Sequence, residues 1–260
     1  MTYREIAPTA ALRPWVECFW TRGGGQAILP VPVPVNILPD GCADLVFELT
    51  RGDAMAVGTM TKPLVLPAGA RGDFFGVRFR PGRAAAFLRL PLAEITDARV
   101  PLQDVWKSWS GEISIPAIES ELMRRLRPDR DARVDAAIER ITAGAGRVDD
   151  IARHIGISRQ HLARQFQQHV GVSPKTFARV MRFRRLLADC RNAGVFAGWP
   201  GAVSAPNGGG TPPDQPPRRR RSDDQRDDWA ARAARHGYYD QSHLIADFRE
   251  LAGTTPAAFR

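Results

Sequence analysis

Apolar positions along this chain change their spacing several times, and each change predicts a different kind of element. From about residue 12 to residue 80 they come in short runs, "QAILPVPVPVNIL", "ADLVFEL", "KPLVL" and "GVRFR", broken every few positions by Pro or Gly. Val, Leu and Phe suit strands while Pro and Gly punctuate them, so this region reads as short strands joined by tight turns. From Gly82 onward "GRAAAFLRL", "PLQDVWKSW" and "IPAIESELMRRL" read as helices, the last with Ile115, Ile118, Leu122 and Met123 at helical spacing. The polar break "RPDRDAR" precedes Val134, Ala137, Ile138 and Ile141, a further amphipathic helix. The fold class is therefore α+β: a β-rich domain over residues 1–128 with trailing helices, then an all-α domain over 129–260. The helix from Ile115 to Leu126 serves either as core or as a dimer surface.

Periodicity stops at residues 192–228, "NAGVFAGWPGAVSAPNGGGTPPDQPPRRRRSDDQRDD", a Gly- and Pro-rich stretch with an arginine run and acidic residues. Its composition predicts a disordered insert. What flanks it is a repeat. In the first copy Ala152 is followed by Gly156, Leu162, Phe166, Gly171, Pro174 and Phe177; in the second Ala233 is followed by Gly237, Leu244, Phe248, Gly253, Pro256 and Phe259. The frames agree except for one extra residue in the second copy, in the turn after its glycine. The glycine supplies a left-handed end to one helix, Ser158 or Asp240 caps the next, and the Leu and Phe bury that helix's inner face. Ser173-Pro174 begins a further helix, and Thr255-Pro256 repeats the signal. Helix, glycine turn, helix is a helix-turn-helix, whose second helix enters the DNA major groove.

Charge agrees with the pattern. Of the formal +9, residues 146–197 contribute +7, with ten basic and three acidic side chains. A focused cationic block fits a polyanion such as double-stranded DNA.

The stretches "VDDIARHIGISRQHLARQFQQHVGVSPKTFARVMRFRRL" and "WAARAARHGYYDQSHLIADFRELAGTTPAAF" closely resemble the two helix-turn-helix halves of AraC/XylS-type transcriptional regulators, and "ILPDGCADLVFEL" with "GVRFRPG" is similar to the leading domain of a subgroup of them. The resemblance implies a sequence-specific regulator binding promoter DNA. On the first reader helix, Leu162 and Phe166 face inward and Arg159, Gln160, Ala163, Arg164 and Gln167 face outward; Arg159, Gln160, Ala163 and Arg164 are the candidate base contacts, with Arg164 foremost. The matching set on the second is Gln241, Ser242, Ile245 and Ala246, of which only Gln241 and Ser242 hydrogen-bond well. Lys175, Arg179, Arg182, Arg184 and Arg185 are candidate phosphate contacts, each with a solvated helix face as its ordinary alternative. The resemblance also implies a small-molecule effector or a homodimer for the N-terminal domain, and RNA polymerase as a partner.

Other chemistry is thin. Arg78 and Arg80 share one face of a strand, and two readings stay open for them: a solvated face, or guanidinium forks gripping an anionic ligand. All five histidines lie in the two units, but without metal-ligand spacing, so no metal and no cofactor are expected. Cys18, Cys42 and Cys190 are scattered, which suits a reducing cytoplasm, and no membrane span or signal peptide is read. No catalytic constellation is seen, so the protein is not read as an enzyme. An alkyl-accepting N-terminal domain is the alternative, and it requires a zinc-activated thiolate with several cysteines. A ligand-binding protein whose DNA-binding half is inactivated by the insert is a third reading.

Overall fold

The computed structural model describes residues 2–23, 35–66, 72–109, 111–127, 131–193, 195 and 229–259. Most of the predicted run "QAILPVPVPVNIL" and nearly all of the insert therefore lie outside the described residues.

The N-terminal half is β-rich and the C-terminal half helical, the α+β arrangement that the spacing of apolar positions predicts. Six strands form one antiparallel sheet in the order β1 (Thr2–Ile6), β2 (Val16–Gly23), β7 (Phe74–Phe79), β4 (Asp44–Glu48), β5 (Asp53–Val57) and β8 (Arg99–Pro101). A two-stranded ribbon pairs β3 (Val35–Ile37) with β6 (Leu64–Leu66). Register explains the two faces of the sheet, because side chains alternate along a strand. Val77 lies across from Phe19 and Leu45, Phe75 from Phe47, and these rings and aliphatics are buried. They pack beneath Phe87 and Leu88 of α1 (Ala85–Leu88), Leu92 and Ile95 of a 3-10 turn (Leu92–Ile95), Leu102 of α2 (Leu102–Val105), Trp106, and Ile118 and Leu122 of α3 (Ile115–Arg125). The helix α3 thus joins the first core, and its Met123 stays half exposed. The helices read at "GRAAAFLRL" and "PLQDVWKSW" shrink to single turns, since each is bounded closely by Pro or Gly.

Around Arg78 the opposite sheet face is closed rather than solvated. Arg78 lies across from Cys18 and Asp44, and is only 5% exposed. Its guanidinium sits 3.5 Å from Asp40 and 3.4 Å from Asp44. Asp44 also accepts from Trp20 Nε1 at 2.9 Å, and that indole lies over Gly76, where any side chain would collide with it. Burial pushes the Asp44 carboxyl up to about 6, against the pull of Arg78. The solvated-face reading of Arg78 does not fit a guanidinium that is 5% exposed and lies within 3.5 Å of two carboxylates. Arg80 is directed at protein too, its Nε donating to the Arg13 carbonyl at 2.7 Å.

A second core gathers α4 (Ala132–Ala143), α5 (Val148–His154), α6 (Arg159–His169), α7 (Pro174–Asn192), α8 (Trp229–Arg235) and α9 (Gln241–Ala252). The helix α7 is its spine. Phe177 meets Phe166 of the first unit, and Phe183 meets Phe248 of the second edge to face, with centroids 4.9 Å apart. The second unit is thus docked on α7. Pro174 opens α7 behind its Ser173 cap, but Pro256 opens only a turn.

The two halves are joined at several helices of the second core. Thr59 Oγ1 donates to the Val170 carbonyl and Thr96 Oγ1 to the Gly171 carbonyl, each at 2.6 Å, just beyond the C-terminal end of α6. Asn36 of the ribbon donates to the Ala252 carbonyl at the end of α9, at 3.3 Å. Arg83 pairs with Asp135 of α4 at 2.8 Å. Among the described residues no helix is long and apolar enough to cross a membrane.

Candidate nucleic-acid interface

Both units are assembled by the same local rules. After α5, Gly156 turns the chain with φ +72°, and after α8 Gly237 does so with φ +74°, a conformation a side chain would strain. The Ile157 N–H then bonds the Ala152 carbonyl at 3.1 Å, and the Tyr238 N–H bonds the Ala233 carbonyl at 2.9 Å. Ser158 Oγ accepts from the His161 N–H at 3.1 Å to start α6, and Asp240 accepts from the His243 N–H at 2.7 Å to start α9. Each cap is worth about 1 kcal/mol. Leu162 and Phe166, like Leu244 and Phe248, are fully buried.

With those inner faces fixed, the outer faces follow. Arg159, Gln160, Arg164 and Gln167 of α6 are exposed and Ala163 is half-buried; on α9, Gln241, Ser242 and Ala246 are exposed and Ile245 is half-buried. Arg159 reaches Asp149 at 3.6 Å with its side chain still 76% exposed. Arg164 lies 3.4 Å from the His161 ring and opens to solvent. Each unit therefore presents hydrogen-bonding side chains on one accessible helix face, the condition for reading base edges.

The arginines of α7 are arranged differently from the phosphate-contacting set that sequence suggests. Arg179 pairs with Asp247 and Glu250 of α9. Arg182 pairs with Asp247 at 2.9 Å, lies over the Tyr238 ring at 4.2 Å from its centroid, and contacts His243 at 3.1 Å. Arg185 donates to the Ile141 and Thr142 carbonyls at 3.2 and 2.6 Å, satisfying the last turn of α4. Arg184 is buried. It pairs with Glu17 of β2 at 2.8 Å and donates to the Asp40 carbonyl at 3.2 Å. Burial works against its charge, yet Cys42, Glu17 and Asp40 outweigh that and hold its pKa above the ordinary value. A phosphate role for Arg184 is corrected by this burial. Arg179, Arg182 and Arg185 serve first to fasten α7 to its neighbours, and Lys175 is the one of the five whose side chain lies on the exposed surface.

Sequence reasoning missed the acids in this network. Asp247 is 1% exposed, and its position three residues after Leu244 and next to Phe248 places it on the inner face of α9. A carboxylate in an apolar stripe needs a cation, and that was the signal available.

One further feature lies at the seam between the halves, a cavity of about 260 Å³. Trp15, Ala85, Arg89, Arg127, Gln168 and His169 line it, so α1 and the end of α6 face each other across it.

Comparison with known proteins fits this geometry. Residues 146–177, covering α5, its turn, α6 and the start of α7, match the bacterial regulatory helix-turn-helix proteins of the AraC family. The chain carries an AraC-family helix-turn-helix. A helix-turn-helix of this kind is a DNA-binding unit. Residues 4–101 match a domain of unknown function, DUF6597, which covers the six-stranded sheet. None of the curated proteins matches the chain. Among solved structures, ToxT from Vibrio cholerae O395 aligns over 86% of both chains at 10% identity, with a TM-score of 0.36. Unsaturated-fatty-acid-bound ToxT from Vibrio cholerae strain SCE256 aligns over 98% of this chain and 91% of its own at 9% identity, with a TM-score of 0.35. Scores of this size do not establish a common fold. The AraC-family match ends at residue 177, so the second unit rests on its own geometry: the same glycine turn, cap and buried Leu-Phe pair.

Proposed function

We propose that the protein is a sequence-specific transcription regulator whose two helix-turn-helix units, α5–α6 and α8–α9, read adjacent major-groove segments of one promoter site. The observation that carries this reading is the shared spine: both units pack on α7, each with its reader helix's polar face open. A 19-residue helix is about 28 Å long, close to the roughly 34 Å between successive major-groove faces. Arg159, Gln160, Ala163 and Arg164 face bases from α6, and Gln241, Ser242, Ile245 and Ala246 from α9. Lys175 neutralises a phosphate.

Selection of bound duplexes from a random pool, followed by mobility shifts at several salt concentrations, tests the reading. Arg164→Ala should weaken the preferred site by about 1–3 kcal/mol and relax one base position. Lys175→Ala should weaken all sequences alike and lower the salt slope by about one phosphate's worth. A protein that enriches no sequence, and whose binding does not weaken with salt, would refute it.

Signal sensing is assigned to the seam cavity rather than to Arg78 and Arg80. Arg89 and Arg127 suit a small organic acid, and a ligand there would touch both the sheet domain and the end of the first reader helix. Screening small carboxylates by thermal shift should find compounds that raise the Tm of the unsubstituted protein but not of Arg89→Ala; equal shifts in both would place sensing elsewhere. The alkyl-accepting alternative is not favoured by the thiols. Burial pushes Cys18 up to about 12 and Cys190 to about 11, and raises Cys42 as well, the opposite of an activated thiolate.

A further inference from the structure

Aligned through their backbone bonds, Ile157 corresponds to Tyr238 and Ser158 to Asp240. The extra residue of the second turn is therefore Tyr239, which has no counterpart in the first unit. Its surroundings are unusual. Tyr238 is buried at 4% exposure, whereas Tyr239 is 92% exposed, far beyond any other large hydrophobic side chain among the described residues.

The backbone around it is held on both sides. The Tyr238 ring lies under the Arg182 guanidinium and packs edge on against His243, with centroids 5.3 Å apart. On the other side Asp240 caps α9, and the Tyr239 N–H itself points to His243 Nδ1 at 3.5 Å. An aromatic side chain with two rotatable torsions, displayed from a fixed backbone, loses little entropy when a partner orders it. It stands two residues before Gln241, which opens the helix assigned to base reading. In a helix-turn-helix the residues at the start of the second helix meet base edges, so a side chain on the turn just before them meets the strand bordering the groove. Tyrosine hydroxyls are among the groups that donate to phosphate oxygens there.

We propose that Tyr239 is a DNA-backbone contact of the second unit, its phenolic hydroxyl donating to a phosphate beside the groove that α9 enters. The inference rests on the function proposed above. The extra residue gives the second unit, whose candidate base contacts Gln241, Ser242, Ile245 and Ala246 include no cation, a grip on DNA that the first lacks.

Fluorescence anisotropy with a random-sequence duplex of about 30 base pairs, long enough for two groove segments and flanks, tests it, because a phosphate contact does not depend on sequence. Tyr239→Ala and Tyr239→Phe should both weaken binding by roughly five- to tenfold, the scale of one net hydrogen bond on a solvent-exposed surface. The salt slope should stay as in the unsubstituted protein, since a neutral donor displaces no counterion. Thermal melting should be unchanged, as expected for so exposed a side chain. Binding by Tyr239→Phe within twofold of the unsubstituted protein would overturn the proposal while leaving the DNA-binding function standing. Failure of the unsubstituted protein to bind the duplex at low salt would overturn both.

Discussion

Arg184→Ala should destabilise the protein by about 3–5 kcal/mol, the cost of leaving a buried charge network without one of its partners. Arg184 lies at 7% exposure between α7 and the sheet domain, and its loss strands the Glu17 carboxylate and leaves the Asp40 carbonyl without that donor. Urea unfolding followed by tryptophan fluorescence measures the change. Two comparisons separate the ion pair from simple loss of volume. Glu17→Gln keeps shape and hydrogen bonding while removing one charge, so its cost should be clearly smaller. The double variant Glu17→Gln with Arg184→Met should recover part of the single-variant loss, because neither charge is then stranded. A loss below 1 kcal/mol for Arg184→Ala would mean that the two halves do not depend on this contact.

Phe248→Ala should cost a similar amount, about 3–5 kcal/mol, but its main consequence falls on DNA reading. Phe248 is fully buried where Phe183 of α7, Trp229 of α8 and Phe259 converge on it, at centroid distances of 4.9, 5.7 and 5.5 Å. Removing the ring takes out the aromatic part of the docking that seats the second unit on the spine, leaving the Arg179 and Arg182 ion pairs. Hydroxyl-radical footprints on a selected site should then shrink from two protected groove segments to the one covered by α6. The matched control is Phe166→Ala, which should remove the other segment. If Phe248→Ala melts lower yet keeps the full footprint, the second unit's placement does not come from its docking on α7.

Much of the DNA-binding half was legible because its signals are local. A glycine forced to positive φ at Gly156 and Gly237, a cap at Ser158 and Asp240, and an inward Leu-Phe pair each act within one or two turns, and the structure returns all of them. What sequence could not show is what faces a polar side chain from a distance. Alternation correctly put Val77 and Phe79 on one side of β7 and Arg78 on the other, but a period of two cannot tell water from a loop carrying Asp40. The α7 arginines present the same problem in another form. A charged helix face looks alike whether it meets solvent, phosphate or protein acids, and the acids that claim Arg179 and Arg182 come 65 or more residues later, at Asp247 and Glu250. The turn at Pro256 shows the limit of a start signal. Thr255-Pro256 matches the opening of α7, yet Pro256 begins only a turn.

The arginines of α7 also determine how this molecule can move. At about 100° per residue, Arg179, Arg182, Arg184 and Arg185 point in four directions around the helix axis, near 0°, 300°, 140° and 240°. They fasten it respectively to the second reader, to the turn before that reader, to the sheet domain and to α4. Rotation of the helix about its own axis would break all of these contacts together, so it is the least accessible motion. Under the proposed function, a displacement of α7 would carry the second unit with it, since Arg179 and Arg182 hold that unit to the helix. In that reading the spacing between the two units follows from how each packs on α7, through Phe166 on Phe177 and Phe248 on Phe183.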